Sequence, residues 1–240
     1  MSPEFPVSAV VVIPTYNERQ TLRTIVERVL TVDGVRVLVV DDNSPDGTGH
    51  LADALAHEQS RVSVLHRPRP DGLGSAYIAG FRAALDAGAT VVCQMDADGS
   101  HDTADLTPLI AALATADLVL GSRYIPGSNI HDWPLSRQWL SHAGNGYAQL
   151  VSRVPVRDIT TGYRAWRAAA LRAMPLDKVQ SRGHGFQVEM TILASREALR
   201  IAEVPISFQD RLSGVSKLTT RTLIEFVRSP WRAVSVRRAT

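Results

Sequence analysis

The chain has 240 residues, of which 45% are apolar and 21% are charged, and its formal net charge is +2. This composition is typical of a folded globular protein and excludes a disordered chain. A single cysteine, Cys93, excludes internal disulfides and multi-cysteine zinc sites and favours an intracellular protein. We find no export signal, and no apolar run approaches the roughly 18 residues that a membrane span needs.

Short apolar runs alternate with helical patterns along the first two-thirds of the chain. We predict buried strands at residues 8–13, 35–40, 62–65, 90–95 and 117–120, because each run is almost continuously apolar. Apolar stripes with helical spacing predict helices at residues 22–30, 74–87 and 104–114. Later helices at residues 134–152 and 184–198 and a strand at residues 199–208 complete the pattern. The alternation predicts an α/β fold with a mostly parallel central sheet and helices on both faces.

Polar motifs directly follow four of these predicted strands, at residues 14–18, 41–48, 96–98 and 121–123. In parallel sheets covered by helices, ligands bind beyond the carboxyl ends of the strands. We therefore expect the four motifs to form one binding site at that edge of the sheet.

Asp96 and Asp98 end an apolar strand, where two carboxylates buried without a partner would be costly. Mg²⁺ and Mn²⁺ are commonly held by one or two carboxylates together with substrate phosphate oxygens. The pattern therefore predicts a divalent-metal site for a nucleoside diphosphate. Asp42 ends another strand, and its carboxylate is free of the turn and capping roles that residues 46–48 suggest, so it is a candidate contact for a base or ribose.

Other signals favour ordinary structural roles. The sequence has no H-E-x-x-H, no G-x-S-x-G and no P-loop, and the glycines of residues 72–80 lack the dinucleotide spacing. For His101 we favour a polar loop residue over a metal or phosphate contact. For Trp133, Trp139 and Tyr147 we favour core packing over guidance of a lipid.

The motifs together resemble those of polyprenol (dolichol) phosphate mannose synthases, which are family 2 glycosyltransferases with the Rossmann-like GT-A fold. The resemblance extends from residue 8 to residue 218 and is carried by residues 14–18, 41–48, 95–101, 121–124, 158–164 and 208–217. The last two motifs are the most specific.

The resemblance assigns roles to individual positions of this sequence. It implies donor contacts from Pro14, Tyr16, Glu18, Val40, Asp42 and Ala97. It implies metal ligation by Asp96 and Asp98, with Ser100 as a weaker third oxygen where many relatives have glutamine. It places four cations around the donor diphosphate and the acceptor phosphate, namely Arg123, Arg137, Arg211 and Lys217. Asp158 is expected near the reacting sugar, and the predicted catalytic residues are Asp98, Arg123 and Asp158.

The implied reaction is the inverting transfer of mannose from GDP-mannose to a polyprenyl phosphate lipid, with Mg²⁺ or Mn²⁺ as cofactor. A phosphate monoester has a second pKa of about 6 and is ionised near neutrality, so it needs no general base. The alternative is that Asp158 acts as a base. Three further alternatives remain open: another donor such as UDP-glucose, a saccharide hydroxyl as acceptor, or a non-catalytic nucleotide-sugar-binding subunit of a membrane glycosylation complex.

The end of the chain is locally basic. Residues 211–240 hold seven basic residues and one acidic residue, so they carry +6 in a chain whose net charge is +2. We predict a catalytic domain at residues 1–217 and a basic amphipathic helix at residues 218–240. This helix could bind an anionic membrane surface, dock on a separate integral membrane protein, or be solvated. We expect a cytoplasmic protein, peripheral on the cytoplasmic face of the membrane, with no nucleic-acid partner.

Overall fold

The computed structural model describes residues 8–131, 133–210 and 220–235. In chain order the strands and helices are β1 (Ala9–Thr15), α1 (Leu22–Leu30), β2 (Val35–Asp41), α2 (Thr48–Glu58), β3 (Val62–His66), α3 (Leu73–Asp86), β4 (Val91–Gln94), α4 (Leu106–Ala112), β5 (Leu118–Ser122), β6 (Asn129–Ile130), α5 (Leu135–Ser152), β7 (Arg164–Arg167), α6 (Ala168–Ala173), α7 (Gly185–Arg196), β8 (Ile201–Pro205), β9 (Ser207–Phe208) and α8 (Thr220–Ser235). Short 3₁₀ turns occupy Thr103–Asp105 and Leu176–Lys178.

Seven strands form the central sheet, in the order β3-β2-β1-β4-β7-β5-β8. Strand β7 runs antiparallel to both of its neighbours, and the other pairings in this sheet are parallel. Strands β6 and β9 form a separate two-stranded parallel sheet. The prediction of an α/β fold with a mostly parallel sheet is therefore confirmed.

Both faces of the sheet are buried, which explains the continuous apolar runs. On β1, Val10 and Val12 belong to the core formed with α3, α6 and α7, whereas Val11 and Ile13 belong to the core formed with α1, α2 and α4. Successive side chains of a strand point to opposite faces, so a strand that is covered on both sides is apolar at most of its positions. The thiol of Cys93 on β4 is also buried, and burial raises its pKa to about 12.

The prediction of one strand at residues 199–208 was wrong, because these residues form two strands, β8 and β9, that belong to different sheets. Strands β6 and β7 were not predicted. Strand β7 reads Arg-Ala-Trp-Arg, so it has no apolar run, although Arg164 and Trp166 are completely buried. Because β7 is antiparallel, its first residue pairs with the last residue of β4, Gln94. The loop that precedes β7 therefore reaches the edge of the sheet where β4 ends.

Gly80 allows α3 to pack closely on the sheet. A Cβ at this position would lie 2.4 Å from Cγ1 of Val12 and 2.9 Å from Cγ2 of Val40. We expect Gly80→Ala to lower the free energy of unfolding by about 1–3 kcal/mol, because neither valine can move without disturbing the core. The control is Gly146→Ala on α5, where an added Cβ has no atom within 4 Å. Since alanine favours a helix more than glycine does, the free energy of unfolding of this control should rise by about 0.5–1 kcal/mol. Urea denaturation of both variants measures the difference, and equal stabilities would contradict it.

Helix α8 packs against α7 and α5 and buries Ser229 and Ala233, while Arg228 and Arg232 are exposed. The predicted domain boundary at residue 217 falls outside the described residues and stays a prediction. None of the helices in the described ranges combines the length and apolarity needed to cross a bilayer.

Candidate active site

A cavity of about 280 Å³ lies where β4 and β5 end and β7 begins. The predicted site residues that line it are Asp96, Asp98, Ser100, Arg123 and Arg137. Apolar side chains of α5 and α8 form another part of its wall, namely Leu140, Leu223 and Phe226. The cavity therefore joins acidic, basic and apolar surfaces.

The predicted donor contacts on the first two strands do not line this cavity. Pro14 and Val40 are paired in register on β1 and β2, and Asp42 follows β2. The Tyr16 side chain is 37% exposed, and the backbone N–H of Glu18 donates to Thr48 at the start of α2. These residues lie at the carboxyl ends of β1, which is the neighbour of β4, and of β2, which is the next strand beyond β1, so they extend the same edge of the sheet.

Three other residues were predicted to contact the substrates, namely Ala97, Arg211 and Lys217. Ala97 is buried between the two aspartates, with 4% of its surface exposed. Arg211 and Lys217 lie outside the described residues, so their predicted phosphate contacts stay predictions.

Hydrogen bonds fix the orientation of both aspartates. The Tyr77 hydroxyl donates to Oδ1 of Asp96 at 2.9 Å. The Asp98 carboxylate accepts from the backbone N–H and the hydroxyl of Ser100, at 3.0 and 2.7 Å. The predicted third metal oxygen, that of Ser100, is thus a donor to Asp98 here.

His101 supports the backbone between these carboxylates. Its Nδ1 accepts from the backbone N–H of Asp96 at 3.2 Å, and its ring stacks on Tyr163 with the centroids 4.6 Å apart. Burial lowers the pKa of His101 in spite of the neighbouring aspartates, so the ring is neutral near pH 7. Because Nδ1 is an acceptor, the proton of the neutral ring resides on Nε2.

The donor set fits a divalent cation that is shared with a substrate. No cluster of three or more His, Cys, Asp or Glu side chains suited to a metal occurs in the described part of the chain. A structural metal cage is therefore not present among those residues. Two oriented carboxylates beside a cavity are the number that Mg²⁺ commonly takes from protein when substrate phosphates supply the other oxygens.

Arg123 and Asp158 form a buried, bidentate ion pair. Nε and Nη2 of Arg123 donate to the two oxygens of Asp158 at 2.7 and 2.9 Å. The carboxylate also accepts from the backbone N–H of Arg123 at 3.1 Å and from the Thr160 hydroxyl at 3.0 Å. Burial raises the pKa of Asp158, but Arg123 more than offsets this, so the pKa is lowered overall. All of the acceptor capacity of this carboxylate is therefore in use.

Aromatic rings surround the cations of the cavity. The Trp133 ring centroid lies 5.8 Å from the guanidinium carbon of Arg123 and 4.4 Å from that of Arg137. The Phe208 ring centroid lies 5.3 Å from the guanidinium carbon of Arg123. These contacts hold the two guanidinium groups on one wall of the cavity. The core-packing prediction was wrong for Trp139, whose surface is 76% exposed.

Arg164 is a cation that sequence reasoning left without a role. It is fully buried, and its Nε and Nη2 donate to the backbone oxygens of Thr161 and Ile159 at 2.8 and 3.1 Å. Its Nη1 has no hydrogen-bond partner among the described residues. Burial lowers its pKa to about 9, although Asp158 and Asp96 favour the charged form. Arg164 therefore anchors the loop that carries Asp158 and places positive charge near Asp158 and Asp96.

Arg67 is a second cation that the sequence motifs missed. Its guanidinium pairs with Asp42 at 2.5 Å, at the end of β2. Burial raises the pKa of Asp42, and Arg67 opposes this effect. The predicted base or ribose contact is therefore one half of an ion pair. Arg67 directly follows β3 and has no motif around it that could have marked it.

Comparison with known proteins decides the family. The model of glycosyl transferase family 2 matches residues 10–174. The chain belongs to this family. The chain is 51% identical over 209 residues to the undecaprenyl-phosphate mannosyltransferase of Micrococcus luteus, covering 87% of this chain and 86% of that one. It is 47% identical over 218 residues to the polyprenol monophosphomannose synthase of Mycolicibacterium smegmatis, covering 90% and 82%. The predicted resemblance is confirmed.

A solved structure confirms the GT-A-like fold of this family 2 member. The glucosyl-3-phosphoglycerate synthase of Mycobacterium tuberculosis, in complex with Mn²⁺, uridine diphosphate and phosphoglyceric acid, superposes with a TM-score of 0.71. The match covers 97% of this chain and 80% of that chain at 19% sequence identity. At this identity the comparison establishes the fold alone.

Proposed function

We propose that the chain is an inverting mannosyltransferase that transfers mannose from GDP-mannose to a polyprenyl phosphate lipid. The observation that carries this proposal is that one cavity joins two oriented carboxylates, an ion-paired arginine and an apolar wall from α5 and α8. A nucleotide sugar needs the carboxylates, which can hold a metal, and the arginine. A lipid phosphate needs the arginine and the apolar wall. The activities in the names of the two bacterial relatives support the same reaction.

The cations of the cavity bring two phosphate-bearing substrates together. Without positive charge their mutual repulsion would oppose the approach of the acceptor. Arg123 and Arg137 line the cavity, and a guanidinium offers two parallel N–H donors that match phosphate oxygens. Asp96 and Asp98 would hold Mg²⁺ or Mn²⁺, which supplies positive charge to the departing diphosphate when bound.

The lipid phosphate attacks without a protein base. Asp158 is completely buried and ion-paired, and its pKa is lowered, so it is a poor proton acceptor. A phosphate monoester with a pKa of about 6 already carries a nucleophilic oxyanion near neutrality. In this proposal Asp158 positions Arg123, and alignment of the two substrates provides the main acceleration.

The pair of Asp42 and Arg67 supports guanine as the donor base. Guanine offers N–H donors on one edge and the acceptors O6 and N7 on another, and arginine is the common partner of the two acceptors. A carboxylate can accept from the N–H donors of guanine, and a guanidinium next to it can donate to O6 and N7. The two side chains are held together at the carboxyl end of β2, where the predicted donor contacts lie.

A comparison of donors tests the proposed reaction. Purified protein with Mn²⁺ is given radiolabelled GDP-mannose or UDP-glucose, with and without polyprenyl phosphate in vesicles. We expect labelled glycolipid only from GDP-mannose and only with the lipid acceptor. Transfer from UDP-glucose would identify the other donor, and labelled product formed when a saccharide is added in place of the lipid would indicate a saccharide acceptor. Binding of GDP-mannose without turnover would favour the non-catalytic subunit.

Helices α5 and α8 present an apolar face next to the cavity. Of the ten large hydrophobic side chains described as exposed, nine lie on these two helices: Leu135, Trp139, Leu140 and Leu150 on α5, and Leu223, Ile224, Val227, Trp231 and Val234 on α8. Leu140 and Leu223 also line the cavity. Since Arg228 and Arg232 on α8 are exposed as well, we propose that this face rests on an anionic membrane surface.

Removal of two apolar side chains from this face should weaken membrane binding. We expect the double variant Trp139→Ser, Ile224→Ser to bind anionic vesicles at least about tenfold more weakly, because each side chain loses the free energy of burial in lipid. Sedimentation with vesicles measures the bound fraction. The control is His57→Ser, Gln59→Ser, two exposed positions at the end of α2 on the other face of the sheet. Equal binding of the two double variants would refute a membrane role for the apolar face.

A further inference from the structure

Three buried side chains form a hydrogen-bonded chain from the sheet to the cavity. The indole N–H of Trp166 on β7 donates to Oε1 of Gln94 on β4 at 2.8 Å. Nε2 of Gln94 then donates to Oε1 of Gln187 on α7 at 3.2 Å. Trp166 and Gln94 have no exposed surface, and Gln187 has 4% and lines the cavity.

The indole fixes the direction of this chain of hydrogen bonds. An indole nitrogen can only donate, so the amide oxygen of Gln94 must face Trp166. The amide nitrogen of Gln94 then faces Gln187, and the oxygen of Gln187 must accept from it. This removes the usual ambiguity between the oxygen and the nitrogen of an amide. The remaining amide group of Gln187, its NH₂, is thereby a fixed donor.

Gly162 leaves an opening in front of this donor. A Cβ at Gly162 would lie 3.5 Å from Nε2 of Gln187 and 3.1 Å from Oδ2 of Asp96. Gly162 lines the cavity and is not among the glycines with a positive φ, so the backbone does not require glycine there. The missing side chain keeps a space open between an N–H donor and a carboxylate.

We propose that Gln187 recognises the sugar of the donor, by donating its amide N–H to a hydroxyl oxygen of the mannosyl group. The inference rests on the proposed function, because the sugar is attached to the diphosphate that Asp96 and Asp98 would hold through a metal. A sugar hydroxyl is neutral and can accept from Gln187 beside the Asp96 carboxylate. A phosphate oxyanion at the same position, without the metal between it and Asp96, would be repelled by that carboxylate. Trp166 and Gln94 are positioning residues that keep the donor of Gln187 directed at the sugar.

Titration with and without the sugar tests this assignment. Calorimetry with Mn²⁺ compares the binding of GDP and of GDP-mannose to the wild type and to Gln187→Met, which keeps the length of the side chain but has no N–H donor. We expect the variant to bind GDP-mannose about tenfold more weakly and GDP within about twofold of the wild type. Equal weakening of both ligands, or of neither, would overturn the proposal.

Two more variants distinguish recognition from a fault in folding. Gly162→Ala fills the opening and should weaken GDP-mannose binding more than GDP binding, although its Cβ, 3.1 Å from Oδ2 of Asp96, should weaken both to some extent. Trp166 does not line the cavity, but Trp166→Phe removes the donor that orients the amides of Gln94 and Gln187. The variant should therefore bind GDP-mannose more weakly relative to GDP, by about two- to fivefold. A general loss of structure would lower both affinities together. If the wild type proves to use UDP-glucose, the proposed donor is wrong, and UDP with UDP-glucose provides the same comparison for Gln187.

Discussion

Replacement of Asp96 and Asp98 together by asparagine is expected to lower the rate of mannosyl transfer by at least about a thousandfold. The two carboxylates are the described cavity-lining groups suited to hold a divalent cation, and the loss of its charge on the diphosphate is worth several kcal/mol in the transition state. Asparagine has nearly the same shape, so the hydrogen bond from Tyr77 can persist. The measurement is the initial rate of glycolipid formation at saturating donor and Mn²⁺.

A charge-matched control separates the site from the overall field of the protein. Asp33→Asn with Asp86→Asn removes two exposed carboxylates and should leave the rate within about twofold of the wild type. Chelation with EDTA should abolish wild-type turnover, and Mn²⁺ should restore it in the wild type and in the control but not in the site variant. Persistent glycolipid synthesis by the site variant in EDTA would exclude a metal-dependent reaction.

Asp158→Asn is expected to cost more in stability than in activity. The substitution leaves the buried guanidinium of Arg123 without its counter-charge, which should lower the free energy of unfolding by about 3–5 kcal/mol and Tm by about 10 °C. Because the acceptor is already an oxyanion, we expect the folded variant to keep at least about a tenth of the rate. A general base in this position would cost 10²–10⁴-fold when removed, as a rough range. Thermal unfolding and initial rates at a temperature where the variant is folded measure both effects.

The double variant Arg123→Met, Asp158→Asn separates the two roles of the ion pair. It removes both charges, so it should recover most of the stability that Asp158→Asn loses. It should nevertheless be at least about a hundredfold slower than the wild type, because the phosphate cation of the cavity is gone. Recovery of activity together with stability would show that Arg123 does not act on phosphate.

Acid should reduce the stability difference between the wild type and Asp158→Asn. The pKa of Asp158 is lower in the folded protein than in the unfolded chain, where it is about 3.9. The ion pair therefore stabilises the fold fully above that value and is lost as the pH falls through the lower folded pKa. Urea denaturation between pH 7 and pH 3 should show the gap between the two proteins beginning to narrow near pH 4. A gap that widens in acid would contradict this assignment.

The sequence predicted the parallel part of the sheet well, because its strands are buried on both faces. Strands β1 to β5 follow the predicted apolar runs within one or two residues at most ends. Strand β7 could not be found in this way, since its buried Arg164 interrupts any apolar pattern. The change from β8 to β9 was also missed, although Pro205, the last residue of β8, lies where the chain leaves the central sheet.

The sequence predicted those residues of the candidate site that directly follow a strand. The two aspartates after β4 and Arg123 after β5 are short polar motifs, and the structure brings them to one cavity. Tyr77 and Gln187 come from α3 and α7, and helical periodicity indicates only which side of a helix is buried. Their polar groups look like ordinary core positions until the partners, which are distant in sequence, are known.

Two exposed leucines of the cavity allow the lipid acceptor to enter from the membrane. Leu140 and Leu223 belong both to the cavity and to the apolar face of α5 and α8. A polyprenol can then present its head group sideways while its isoprene units stay in the leaflet. Encounters would occur in two dimensions, so turnover would follow the number of acceptor molecules per unit area of lipid. Vesicles diluted with inert phospholipid at constant total acceptor would then be slower substrates.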